Sequence, residues 1–276
     1  MKTIVFWIWA ALWAADGASQ EVKKPDAAKG QSERRLELIR RRVEALTAVG
    51  PKEAKYEFSK EPIKRYNDEA RNIVDAALWS LGTKGRPRAV LVLEVYRGSF
   101  VQYELTAVAD PPQSVRGRGF VWSPRQTPFT WSKIPDLNPP HATDRVRKRQ
   151  IKQASQQFSA SEQWRGQTTQ LRLEPQPILE YEDQEQGILN GAVFVWVHGT
   201  NVEILMLIEA RQGEDGERYW VAGFSRLASA SLDVDFNGKD FWSSAESPTA
   251  TPTSPYYFRT EPVTADERVL FAPKSQ

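Results

Sequence analysis

Two glutamates stand where glutamate is least expected. Glu94 closes the run Val90-Leu91-Val92-Leu93, and Glu209 follows Leu205-Met206-Leu207-Ile208. On a strand, alternation puts Glu94 on the face of Val90 and Val92, and Glu209 on the face of Leu205 and Leu207. A carboxylate on such a face is costly if it is buried without a partner. With four-residue loops at Thr83 to Arg86 and at His198 to Asn201, Asp75 lies opposite Glu94 and Asn190 opposite Glu209. Neighbouring carboxylates can share a proton and act as a general acid–base pair, which only Asp75 with Glu94 could do. The competing reading lets each glutamate reach solvent or an arginine such as Arg226. Glu94, Glu209, Asp75 and Asn190 are thus the candidate ligand-binding residues.

Other chemistry is sparse. The 276 residues contain two histidines and no cysteine, which removes thiol chemistry, disulfides and most zinc sites. His198 sits in an expected hairpin and His141 in a proline-rich stretch, neither with a metal or triad partner nearby in sequence. Nucleophile elbows, phosphate-binding glycine loops and zinc spacings are absent. The sequence therefore nominates no catalytic residue, no metal and no cofactor.

The elements that must position these residues are suggested by an internal similarity. Residues 34–96 match 149–211 at a constant shift of 115, with nine identities that include Tyr66/Tyr181, Asp68/Asp183 and Glu94/Glu209. Leu36, Ile39 and Val43 recur at helical spacing and fall on Ile151, Ala154 and Phe158, so helices are expected over 33–48 and 143–160. Strands are expected at 73–81, 88–97 and 100–109, and again at 188–197, 202–211 and 218–228. After about four extra residues at Gly213 to Gly216, Trp122 falls on Trp242. The expected fold class is α+β: a duplicated helix followed by a four- to five-stranded antiparallel sheet, with the element order of cystatin-like and NTF2-like domains.

The segments Gly191 to Trp196, Gly199-Thr200-Asn201 and Val202 to Ala210 resemble secreted proteins of planctomycete-type bacteria for which no activity is known. The resemblance covers most of the chain beyond the N-terminus and implies no catalytic residue. The first copy departs from it, with Asp75-Ala76-Ala77 in place of Asn190-Gly191-Ala192.

Residues 1–18 read as a secretory signal, with Lys2, an apolar run from Thr3 to Ala15 and small residues after it. That run is shorter than a membrane span, and no later segment is apolar enough to span. The expected organisation is a signal peptide at 1–18, a flexible segment at 19–32 and a first repeat at 33–123. A proline-rich connection at 124–142, a second repeat at 143–245 and a Ser/Thr/Pro-rich tail at 246–276 complete it. Residues 113–173 carry 11 basic and 3 acidic side chains, whereas 174–246 carry 4 and 14. Export makes nucleic acid an unsuitable partner for the basic part. These features point to a secreted or periplasmic, non-enzymatic binding module for a small molecule, polysaccharide or protein. The alternative is a hydrolase or isomerase using Asp75 and Glu94.

Overall fold

The computed structural model describes residues 25–50, 53–97, 100–109, 113–126, 129–247 and 249–268. The expected signal lies outside them. The described residues begin with helix α1 (Pro25–Glu44) and strands β1 (Thr47–Val49), β2 (Lys55–Tyr56), β3 (Lys64–Asp68), β4 (Ile73–Leu81), β5 (Ala89–Tyr96) and β6 (Phe100–Ala107). β7 (Ser114–Gly117), β8 (Phe120–Trp122) and β9 (Ser132–Lys133) lead to helix α2 (Asp144–Ser155). Next come β10 (Phe158–Trp164), β11 (Gln167–Leu173), β12 (Leu179–Asp183), β13 (Ile188–His198), β14 (Asn201–Gln212) and β15 (Arg218–Arg226). β16 (Ser231–Phe236), β17 (Lys239–Ser244), β18 (Tyr256–Pro262) and a four-residue helix α3 (Ala265–Arg268) close it.

Three antiparallel sheets result, in the orders β2-β1-β7-β8, β18-β6-β5-β4-β3 and β17-β16-β10-β11-β13-β14-β15-β9, with β12 also on β13. The middle strands are continuous apolar runs because both of their faces are buried. In β5, Leu91 and Leu93 face a core with Leu38, Ile39 and Val43 of α1. Val90 and Val92 face the other way, into a second core shared with Val193, Val195, Leu205 and Leu207 of β13 and β14. A third core joins Ile151 and Ala154 of α2 to Phe194, Met206 and Phe224. The two large sheets therefore pack face to face, each with a helix on its outer face. Thr106 and Ser225 hydrogen-bond across that junction at 2.5 Å.

Several expectations are corrected. The described residues are about 50% strand and 17% helix, a mostly β structure with three sheets rather than an α+β fold of helix-then-sheet units. Apolar spacing carried both helices too far at their C-terminal ends, because Thr47–Val49 and Phe158–Trp164 are strands that alternate between buried and exposed positions. Phe158 starts β10 and packs among Phe224, Phe236 and Phe241 rather than on a helix. The ungapped shift also fails there. Ala48 pairs with Tyr56 and Val115 as Ala160 pairs with Leu171 and Val234, an offset of 112.

The segments expected to be loose are partly built in. Residues 25–32 form the first turns of α1, β9 in the proline-rich connection pairs with β15, and β18 in the tail pairs with β6 along seven residues. The last apolar stretch, Val269-Leu270-Phe271, lies outside the described residues.

Between β3 and β5 and between β12 and β14 the pairing does hold to a shift of 115. Tyr66 pairs with Ala76 and Ala76 with Glu94, as Tyr181 pairs with Gly191 and Gly191 with Glu209.

Candidate functional site

Both glutamates are buried on the inner faces of their sheets, and neither reaches solvent. Glu209 is fully neutralised. Arg86, from the β4–β5 loop, donates Nε and Nη2 to its two carboxylate oxygens at 2.6 and 2.8 Å. Arg211 donates Nε at 2.7 Å and the Tyr181 hydroxyl donates at 2.7 Å. The Trp131 ring lies against both guanidinium groups, 4.6 Å from Arg86 Cζ and 4.4 Å from Arg211 Cζ. Gly223 makes room for this lid: a Cβ there would sit 2.4 Å from Phe129 Cδ1 and 3.2 Å from Trp131.

Glu94 has no arginine in direct contact among its hydrogen-bond partners. The Tyr66 hydroxyl lies 2.7 Å from its Oε1, the Tyr96 hydroxyl 2.9 Å from its Oε2, and Gln102 Nε2 3.4 Å away. Tyr66 also lies 2.8 Å from Asn201 Oδ1 and can donate to one oxygen at a time. Burial pushes the Glu94 carboxyl upward, and the two tyrosines oppose that shift only in part. Glu104, two residues along β6 from Gln102, receives Gln102 Nε2 at 2.6 Å. Burial drives its carboxyl well above the usual carboxylate range, and the charge of Glu94 adds to the effect.

Beside this pair opens a cavity of about 450 Å³. A second polar cluster forms its far side. Asp68 accepts the Arg71 backbone N–H at 3.2 Å and starts a short 3-10 turn, which carries Arg71 toward the other sheet. There Arg71 donates to Glu203 at 2.7 Å and contacts His198 Nδ1 at 3.0 Å. Glu203 is the extra residue of a bulge, since Trp196 pairs with Ile204 and Val197 with Val202. Burial raises its carboxyl to about 7 against the pull of Arg71. His198 Nδ1 also contacts Glu162 of β10. That nitrogen can accept from Arg71 or donate to Glu162, according to the tautomer. Ligating atoms of Glu162, His198 and Glu203 lie within 4.8 Å of one another, the spacing a cation would need. Arg71 already bridges two of the three.

The expected Asp75–Glu94 pair is not assembled. Asp75 pairs with Val95 and Asn190 with Ala210, one residue away from the expected register, because the β4–β5 loop runs longer and bulges shift the ladders. A one-residue slip turns a side chain to the other face. Asp75 accordingly accepts from Arg65 at 2.8 and 2.5 Å and lies 3.9 Å from Arg35 of α1. Asn190 accepts from Arg147 and donates to Asp144 at 2.7 Å, tying α2 to its sheet. Arg226 does not serve either glutamate and donates instead to the Ala230 carbonyl at 2.5 Å.

Sequence reasoning missed Glu104, Glu162, Glu203, His198 and Arg71. Glu104 and Glu203 carried the same signal as Glu94, a carboxylate inside a buried strand pattern. Among the described residues no helix is long and apolar enough to cross a membrane. Comparison of the chain with family models, curated proteins and solved structures gave no match.

Proposed function

We propose that this is an exported small-molecule-binding protein whose site is the cavity beside Glu94. The observation that carries this reading is the convergence of buried polar groups on one cavity. Its volume falls in the roughly 300–1,000 Å³ usual for ligand pockets. Buried carboxylates held away from their usual ionisation range recur at functional sites. The aromatic side chains of Tyr96, Trp164, Tyr256 and Phe258 line the same space and offer stacking surface. Export rests on the N-terminal pattern of the sequence.

The test is a titration with neutral, anionic and cationic small molecules, read by the indole resonance of Trp164, which is partly exposed at the cavity. At least one class should give a saturable shift that Trp164→Phe does not abolish when binding is read by calorimetry. No saturable response from any class would reject the proposal. Chemical turnover lost on Glu104→Gln would replace it with an acid–base enzyme, since Glu94 and Glu104 are joined through Gln102.

A further inference from the structure

The two buried glutamates occupy matched register positions, and their surroundings differ in one consistent way. Tyr96 and Arg211 match in the pairings, opposite Ile73 and Ile188 respectively, and the same shift of 115 carries position 86, in the β4–β5 loop, onto 201 at the start of β14. Around Glu209 these places supply Arg86 and Arg211. Around Glu94 they supply Asn201 and Tyr96.

The aromatic lids correspond as well. Phe258 of β18 pairs with Glu104, which pairs with Val92. Ser132 pairs with Ala222, and one step further along that register Trp131 stands beside Gly223, which pairs with Leu207. Since 92 and 207 differ by 115, Phe258 is the counterpart of Trp131. The second half thus encloses a guanidinium bound to a glutamate and covered by an aromatic ring. In the first half the glutamate, the tyrosine and the ring remain, the arginines are gone, Glu104 stands where the second half has Gly223, and a cavity opens there.

We infer that the cavity takes a planar organic cation of the guanidinium or amidinium class, bound to the Glu94 carboxylate against the Phe258 ring as Arg86 is bound to Glu209 against Trp131. This rests on the cavity being a binding site, as proposed above. Charge agrees with the class: Glu94, Glu104, Glu162 and Glu203 line the cavity against Arg71 and His198. Among the described lining residues the one arginine, Arg71, already donates to Glu203, so an anion would lack a cation to receive it. The fork of a planar cation matches a carboxylate in two parallel hydrogen bonds and stacks on an aromatic face, which a spherical metal ion does not. Burial disfavours the ionised form of Glu94 in the free protein and a bound cation favours it, so uptake should strengthen as pH rises.

The experiment uses the purified chain and three isosteric probes, benzamidine, benzamide and benzoate, titrated by calorimetry. Benzamidine should bind at least about tenfold more tightly than benzamide, which corresponds to about 1.4 kcal/mol, and benzoate should not bind. Glu94→Gln, which keeps the size and one acceptor oxygen, should bring benzamidine down to the level of benzamide. Asn201→Arg should abolish benzamidine binding by supplying the chain's own guanidinium, and it should raise the melting temperature. Equal affinities for benzamidine and benzamide, benzamidine binding untouched by Glu94→Gln, or no saturable benzamidine binding would each overturn the inference. If Asn201→Arg fails to fold, Glu94→Gln decides alone. Benzamide binding equal to benzamidine with Trp164 responding to both would remove the cation and leave the binding site standing. No response from Trp164 to any probe or to the wider panel would remove both.

Discussion

Replacing Arg86 by Met tests the claim that Glu209 is held by charge from the opposite sheet. Glu209 is fully buried and receives four hydrogen bonds, two of them from Arg86 at 2.6 and 2.8 Å. The substitution leaves Arg211 and Tyr181 in contact with the carboxylate. Breaking a buried ion pair by removing one partner costs about 3–5 kcal/mol, and the remaining arginine places this case near 3 kcal/mol. In a chain of this size that corresponds to a fall in melting temperature of about 6–12 °C. Thermal and urea unfolding followed by circular dichroism would measure it. The double variant Arg86→Met/Glu209→Gln should regain part of the loss, because the stranded charge is then gone as well. A loss below about 1 kcal/mol for Arg86→Met, or a double-mutant cycle with no coupling between the two sites, would refute the reasoning.

Two further outcomes follow from the same structure. Burial raises the Glu203 carboxyl from 4.5 to about 7, so the folded state holds a proton that the unfolded state has released. Its contribution to stability is present below the unfolded value and is lost as pH rises through the folded one. Stability should therefore fall by up to about 3 kcal/mol between pH 4.5 and pH 8 from this group. Glu203→Gln should flatten the profile in pH-dependent unfolding, and an unchanged slope would reject the assignment. Phe158→Ala should remove about 3–5 kcal/mol, since its ring lies 5.5, 4.8 and 5.2 Å from those of Phe224, Phe236 and Phe241. A loss under about 1 kcal/mol in urea unfolding would show that this cluster is not packed as described.

Much of the fold was legible where neighbours along the chain suffice. The apolar stripe of Leu36, Ile39 and Val43 marked α1, and the runs at 90–93 and 205–208 marked β5 and β14 as strands, whose burial on both faces the structure added. The oddity of Glu94 and Glu209 was visible because a carboxylate at the end of such a run is chemically out of place. The starts of Thr47–Val49 and Phe158–Trp164 were absorbed into helices, since short segments with apolar residues at mixed spacing fit either period.

By itself the sequence determined the buried strands, one face of each helix, and the two glutamates among apolar residues, because these follow from periodicities of two and about four residues. The tertiary structure decided which groups meet those glutamates. Arg86 reaches Glu209 from the other large sheet and Trp131 covers its guanidinium, while Arg71, Glu104, Glu162 and His198 gather beside Glu94 from strands and turns far apart in sequence. A single-residue change in register set Asp75 on the opposite face from Glu94, and the bulge at Glu203 set that residue beside Arg71. Loop length, bulges and the packing of one sheet on another act over the whole fold, and no local pattern of residue types encodes them.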